Sequence, residues 1–313
     1  MSKLLVFGHQ NPDTDTIASA IALSYLINEI STETEAEAVA LGEPNAETKF
    51  VLDYFRVDSP RVVESASNEV NNVILVDHNE AQQSVSDINK VTVKAVVDHH
   101  RIANFETGDP LYYRAEPVGC TATILLKIFK EQEVEIPSDI AGLMLSAIVS
   151  DTLLLKSPTS TSEDVLAAEE LAEITGVSLD EYGLEMLKAG TDISSKTPAE
   201  ILNDDAKSFP MSGDSVRIGQ VNVVDVNDIL NRKDELLETM RQETKENDYD
   251  LYVLLVTDII ESNSVAIVDG PAYRQFEIAF NKPIQLNTVD LEGVVSRKKQ
   301  VVPPLTTAFK REQ

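Results

Sequence analysis

Several residue types are scarce in this sequence. One cysteine, Cys120, stands among 313 residues, so no intrachain disulfide can form. A reducing compartment fits that usage. Tryptophan is missing and histidine occurs four times. No apolar run approaches the ~20 residues that cross a bilayer. The opening MSKLLVFG lacks the long apolar segment of an export signal and reads as a first strand. The cytoplasm is therefore the expected location, with no membrane partner. Cations are scarce too: 26 Lys and Arg face 53 Asp and Glu, a net charge of −27. That balance argues against general duplex-DNA binding, which needs a positive face, and gives a surface that repels other anions.

What is present points to an ordinary globular chain, longer than one core usually serves, so two domains are expected. Five apolar runs of strand length occupy the first hundred residues: LLVFG (4–8), AEAVAL (36–41), RVVES (61–65), NVILVDH (72–78) and KAVVDHH (94–100). Between the first two, TIASAIALSYLINEI carries apolar residues at helical spacing, with Thr16 or Asp15 as its expected cap. Further helices are expected near 119–132, 138–150, 163–175 and 179–188, and the acidic DEYGLEMLKAG reads as a solvated face. Strand–helix–strand order with continuous apolar strands predicts a mainly parallel α/β sheet covered on both faces. After Gly190 the texture changes to a polar, proline-containing stretch. Strands around a charged helix at 228–246 then predict a smaller α+β domain with a mixed sheet. The boundaries read as 1–189, a linker at 190–196, and 197–313.

In an open parallel sheet, ligands bind beyond the carboxyl ends of the strands. Three predicted strands end in acidic or imidazole groups. LLVF runs into GHQNPDTDT with His9, Asp13 and Asp15; VILV into Asp77, His78 and Asn79; AVV into Asp98, His99 and His100. A predicted helix ends at Asp151. Each cluster alone has a local explanation as a turn, a helix cap or a strand end. Together they hold all four histidines of the chain. Carboxylates gathered in one crevice repel one another unless cations join them. An oxygen-rich set with some imidazole and no thiolate suits a pair of manganese ions, with magnesium, cobalt or zinc as substitutes. Two such metals can activate a water and clamp a phosphoryl group. Near the chain's end, GVVSRKKQVVPPL places Arg297, Lys298 and Lys299 together, a charge set suited to a phosphate oxyanion. Lys207 alone reads as a surface lysine, and Cys120 as a small buried residue near a helix start.

The series GHxNPDTD, VDHN, VDHH, SD after a helix, and SRKK resembles the manganese-dependent inorganic pyrophosphatases of family II, within the DHH phosphoesterase superfamily. The resemblance spans the chain and implies a DHH-type metal-binding catalytic domain followed by a substrate-binding domain. It implies that His9, Asp13 and Asp77 hold one Mn2+. Asp15, Asp77, His99 and Asp151 would hold the second, with Asp77 bridging. Asp77 and His100 would carry the catalytic roles, and His100, Lys207, Arg297 and Lys298 would bind the phosphates. His78, Asn79 and Asp98 would lie just behind them, Asp98 orienting an imidazole. A water or hydroxide bridging the metals would attack pyrophosphate, giving two orthophosphates, with further Mg2+ arriving with the substrate. A homodimer joined through the N-terminal domain is also implied. The length leaves no room for the regulatory insertion of some family members. Two other readings stay open: a DHH-type phosphoesterase acting on polyphosphate or short nucleotides, and a non-catalytic metal- or phosphate-binding protein.

Overall fold

The computed structural model describes residues 2–203 and 205–310. They form two units, Met1–Gly190 and Thr191–Gln313. In the first, β1 (Ser2–Phe7), α1 (Thr14–Ile30), β2 (Thr34–Ala38), α2 (Ala46–Phe55), β3 (Asn72–Val76), β4 (Thr92–Asp98) and β5 (Tyr112–Ala115) precede four helices. These are α3 (Thr121–Glu131), α4 (Ser138–Thr152), α5 (Ser162–Thr175) and α6 (Leu179–Gly190). The strands form one sheet in the order β2-β1-β3-β4-β5, and every pairing is parallel.

Alternation along the strands sets the two faces. Leu5, Phe7, Val73, Leu75 and Val96 form a core with Val63, Ala66, Val70 and Val85, which come from non-helical connections. The intervening Leu4, Val6, Ile74, Val76 and Val97 are buried as well, on the face where α1 and α3 meet the sheet. The center of this arrangement is α1, whose Ala18, Ala20 and Ala22 are buried. Small side chains let α4 approach α1 closely.

Order along the sheet decides where its ligand edge lies. From β1 the chain turns one way to β2, and from β3 the other way to β4. The crevice between the ends of β1 and β3 is thus a topological switch point, the usual ligand position in open α/β sheets.

The second unit contains α7 (Pro198–Asn203), β6 (Ala206–Met211), β7 (Asp214–Val223), α8 (Asn227–Leu230), α9 (Lys233–Asn247), β8 (Leu251–Asp258) and β9 (Asn263–Asp269). It continues with α10 (Tyr273–Phe280), β10 (Thr288–Leu291), a π-helical turn at Arg297–Val301 and α11 (Val302–Lys310). Its sheet runs β10-β9-β8-β7-β6 and is mixed: β7 and β8 pair in parallel, the other neighbors antiparallel.

Local expectations differ from the structure in several places, and the helix expected at 228–246 is two, α8 and α9. RVVES is not a strand: it makes a single bridge, Val62 to Ala40. Just beyond it, the Asp87 carboxylate takes the Ala66 and Ser67 N–H groups. The fifth strand is instead Tyr112–Ala115, a short edge segment of largely half-exposed residues. The cap of α1 is Asp13, which accepts from the Thr16 N–H at 3.0 Å. The acidic α6 is amphipathic rather than solvated, burying Tyr182, Gly183, Met186 and Leu187.

Tyr182 packs edge-on to Phe55, their centroids 5.4 Å apart, and Tyr54 flanks the same ring. Gly142 of α4 lies beneath Phe55: a Cβ there would sit 2.2 Å from Cε1. Helix propensity favors alanine over glycine by ~1 kcal/mol. Overpacking against a ring held on two sides costs about 1–3 kcal/mol, so the clash wins. Gly142→Ala is expected to lower the urea midpoint, and Phe55→Leu in the same chain to recover part of the loss.

Candidate metal centre

The loop after β1 carries His9, and Asp13 and Asp15 sit where α1 begins. Asp77 follows β3 directly and adopts a left-handed backbone, φ 57°, while its N–H still donates to Val97 O of β4. That conformation is uncommon for a non-glycine residue, although aspartate tolerates it better than most. Asp98 ends β4, followed by His99 and His100, and Asp151 lies in the last turn of α4. After Thr152, the last residue of α4, Leu153, Leu154 and Leu155 are all left-handed, φ 48°, 54° and 64°.

These segments converge. His9, Asp13 and Asp77 present ligand atoms to one another, as do Asp15, Asp77, His99 and Asp151, and Asp77 with His99 and His100. Asp77 belongs to all three groups. His9 Nε2 is 3.4 Å from both Asp13 Oδ2 and Asp77 Oδ2. His99 Nε2 is 3.3 Å from Asp77 Oδ1 and 3.6 Å from Asp151 Oδ2. His9 donates through Nδ1 to Gln10 O at 2.8 Å, and His99 through Nδ1 to Val118 O at 3.1 Å. Both Nε2 atoms are left to face carboxylate oxygens, the arrangement of imidazole ligands oriented from behind.

The electrostatics of the cluster call for positive charge. Burial alone would lower the His9 imidazole, but Asp13 and Asp77 outweigh it and raise it to about 11. Burial is likewise overcome at His99, which Asp77 and Asp15 raise to about 9. Burial first, then the charge of Asp77, pushes Asp15 up to about 6. Burial and the charges of Asp15 and Asp77 push Asp151 well above the usual carboxylate range. Asp77 goes the other way: burial opposes ionization, and His9 and His99 overcome it. Protons on the two imidazoles thus occupy the electrostatic role of cations. An oxygen-rich set with two Nε2 atoms turned toward the carboxylates suits manganese.

Behind the cluster, Asp98 is fully buried. Its Oδ1 accepts from His100 Nδ1 at 2.9 Å and its Oδ2 from Asn79 Nδ2 at 2.6 Å. Asn79 also donates to Arg101 O and accepts from Ala103 N, fixing the turn after His100. The bond to Asp98 raises the His100 imidazole above its ordinary value, against the opposing effect of burial. His78 points its Nδ1 to Val76 O, and burial lowers its imidazole. Cys120 is fully buried at the start of α3.

Sequence reasoning missed the hydroxyl groups that hold the carboxylates. Thr16 Oγ1 donates to Asp77 Oδ2 at 2.7 Å, Thr121 Oγ1 to Asp77 Oδ1 at 3.2 Å, and Ser19 Oγ to Asp15 Oδ1 at 2.6 Å. Ser19 had a signal, one helical turn after Asp15; Thr121 had none. Glu47 was missed as well. Its Oε1 accepts from Thr14 at 2.7 Å and Ser150 at 2.5 Å, tying the Asp13–Asp15 segment to the end of α4.

In the second unit, Lys207 is exposed on β6 and Lys298 is exposed in the π turn. Arg297 is buried. Its guanidinium donates to Asp205 O, Asp205 Oδ1 and Ile218 O. Gln220 accepts from the Arg297 N–H, and Gln300 braces Val295 and Ser296. Arg297 is thus built into the unit by its own hydrogen bonds, unlike the exposed Lys298 beside it.

A model of the DHH family N-terminal domain matches residues 3–148, and one of the DHHA2 domain matches residues 184–308. The manganese-dependent inorganic pyrophosphatase of Bacillus subtilis (strain 168) is 58% identical over 309 residues, covering 99% of each chain. A Shouchella clausii (strain KSM-K16) protein assigned the same name is 60% identical over 309 residues, 99% of each chain. The crystal structure of a Methanococcus jannaschii protein assigned to the family II inorganic pyrophosphatases superposes with a TM-score of 0.64 at 43% identity, covering 98% of this chain and 99% of that one. The chain belongs to the family of manganese-dependent inorganic pyrophosphatases, with a DHH domain followed by a DHHA2 domain.

Proposed function

We propose that this protein hydrolyzes inorganic pyrophosphate to two orthophosphates with two manganese ions per subunit. The observation that carries the reading is Asp77, a buried carboxylate facing His9 on one side and His99 on the other. His9, Asp13 and Asp77 would hold one ion, and Asp15, Asp77, His99 and Asp151 the other. Bound there, the metals supply an activated water and a clamp on phosphoryl oxygens. Cobalt, magnesium or zinc substitute in the same ligand set, and additional magnesium accompanies the substrate.

The chain's own residues do the rest. Asp98 holds the His100 Nδ1 proton and favors the doubly protonated ring, whose Nε2 proton would pass to a phosphate oxygen as the P–O–P bridge breaks. Lys207, Lys298 and Arg297 neutralize the phosphate charge, the lysines as exposed point charges and Arg297 from the position in which Asp205 holds it. Residues 1–189 form the metal-binding catalytic domain, and residues 197–313 the substrate-binding domain.

The protein works in the cytoplasm as a homodimer joined through the sheet of the first unit. Support for the interface is β5, an edge strand with Tyr112 exposed. Sedimentation equilibrium is expected to give twice the chain mass; a monomer at working concentration would remove the dimer.

The deciding assay is phosphate release from pyrophosphate by metal-stripped protein, with manganese and magnesium restored separately and together. Fast, manganese-dependent release is expected. Activity confined to nucleotide esters or polyphosphate would point to another phosphoesterase, and metal binding without turnover to a binding protein. Because Arg297 is structural as well, Lys298→Ala is the cleaner variant. Its turnover is expected to fall roughly 10²-fold, the scale for loss of one charge-stabilizing group, with an unchanged melting temperature.

Metal uptake should also move protons. Metal-free His9 and His99 titrate at about 11 and about 9, so both are charged at pH 7, and a ligating Nε2 must be neutral. Filling both sites at pH 7 is expected to release at least two protons, one from each imidazole, and manganese affinity to rise with pH through the His99 range. Calorimetry in two buffers of different ionization enthalpy reads the number directly; no proton release would sink this assignment of the imidazoles.

A further inference from the structure

Asp164, near the start of α5, is a carboxylate with no exposed surface. Two of its bonds are local: Thr161 N and Thr161 Oγ1 both donate to Oδ2 at 2.7 Å, part of a capping box. A cap would need no more. Yet Gly119 N also donates to Oδ2 at 2.8 Å, and Thr123 Oγ1 donates to Oδ1 at 2.6 Å. These partners are 45 and 41 residues away in sequence, and they bracket the start of α3.

The segment so fastened, residues 118–121, touches three of the candidate ligands. Val118 O receives the His99 Nδ1 proton, Thr121 N donates to Asp15 Oδ2 at 2.8 Å, and Thr121 Oγ1 donates to Asp77 Oδ1. The fit between anchor and segment is close. A Cβ on Gly119 would lie 2.8 Å from Asp164 Oδ2 and 2.8 Å from Thr152 Cγ2, and Thr152 follows Asp151. Glycine is required where the backbone passes between the carboxylate and α4.

We infer that Asp164 is a positioning residue for the metal centre, holding the 118–121 segment so that His99, Asp15 and Asp77 are aimed before metal arrives. The inference rests on the reading of those residues as manganese ligands. A carboxylate suits the task because all four donors can converge on it without any of its atoms offering a competing proton. An amide of the same shape would turn a donor toward one of them. Loss of a group bonded directly to a ligand typically weakens metal affinity 10–100-fold, and the segment that Asp164 fastens supplies three such bonds.

The test measures manganese affinity of the full chain, by the paramagnetic resonance signal of free Mn2+, beside the melting temperature. Asp164→Asn is expected to weaken manganese binding at least tenfold. The control is Asp87→Asn, another buried aspartate, whose bonds go to Ala66 and Ser67. It is expected to lose melting temperature while keeping native affinity. If Asp164→Asn does not fold, Thr123→Val removes one anchoring bond without touching a ligand, and a several-fold loss of affinity is expected. Native affinity in the folded Asp164 or Thr123 variant overturns the inference, as does equal loss in Asp87→Asn. A wild-type chain that takes up no manganese overturns the proposed metal centre instead.

Discussion

One buried carboxylate organizes the first unit. Asp77 is removed from water, and removing an ion from water costs several kcal/mol even after relaxation. Its neighbors make matters worse, because two carboxylates about 4 Å apart repel by ~4 kcal/mol at an effective dielectric of 20. The hydroxyls of Thr16 and Thr121 bond to it, each worth about 1.5–3 kcal/mol for a charged partner. Those contributions leave a deficit that only positive charge closes. His9 and His99 supply it as protonated imidazoles, and divalent cations would supply more. The need for positive charge at this point therefore follows from where the fold puts Asp77, before any reaction is considered.

The fold delivers that placement by simple means. A parallel sheet needs crossovers, and the switch in direction between β1 and β3 leaves their ends facing an unfilled crevice. His9 and Asp77 are the residues carried there. Helix α1, buried along its first two turns, starts at the same crevice, with Asp13 serving both as its cap and as a neighbor of His9. Its small residues seat α4, which brings Asp151 to the same point. Local strain gathers here as well, at Asp77 and at the left-handed leucines after Asp151, where the surrounding packing must hold the backbone.

Strand ends were legible in the sequence because two signals coincided: a short apolar run and an abrupt change to Asp and His. Where only the apolar run existed, the reading failed. RVVES has the composition of a strand, yet the turn after it sends its N–H groups to a side chain, Asp87, instead of a neighboring strand. The true edge strand, YYRA, is half exposed and carries no continuous apolar pattern. Helix α2 went unread, although Asn45 caps it and Thr48, Val51 and Leu52 mark its buried face. At the site, ligand-type residues announce themselves by chemistry, whereas Thr121, Glu47 and Asp164 act through distances that sequence does not encode. Arg297 shows the converse: its charge was visible, and its burial against Asp205 and Ile218 was not.

The acidity of the chain seems at odds with a polyanionic substrate only if charge is counted globally. At physiological ionic strength the Debye length is about 8 Å, so most of the −27 charge is screened from any one point on the surface. What a phosphate meets is local. Along most of the surface that is carboxylate, which repels it. At the proposed metal centre, the carboxylates that would repel phosphate would instead hold cations, and the bound ions would reverse the sign of the local charge. A strongly acidic surface then aids selection, since an anion gains nothing by binding elsewhere. On the proposed reading, affinity would be confined to places where bound metal or a braced basic turn such as 297–301 outweighs the background. The scarcity of Lys and Arg in the sequence and the concentration of Asp and His at three strand ends are thus two sides of one electrostatic design.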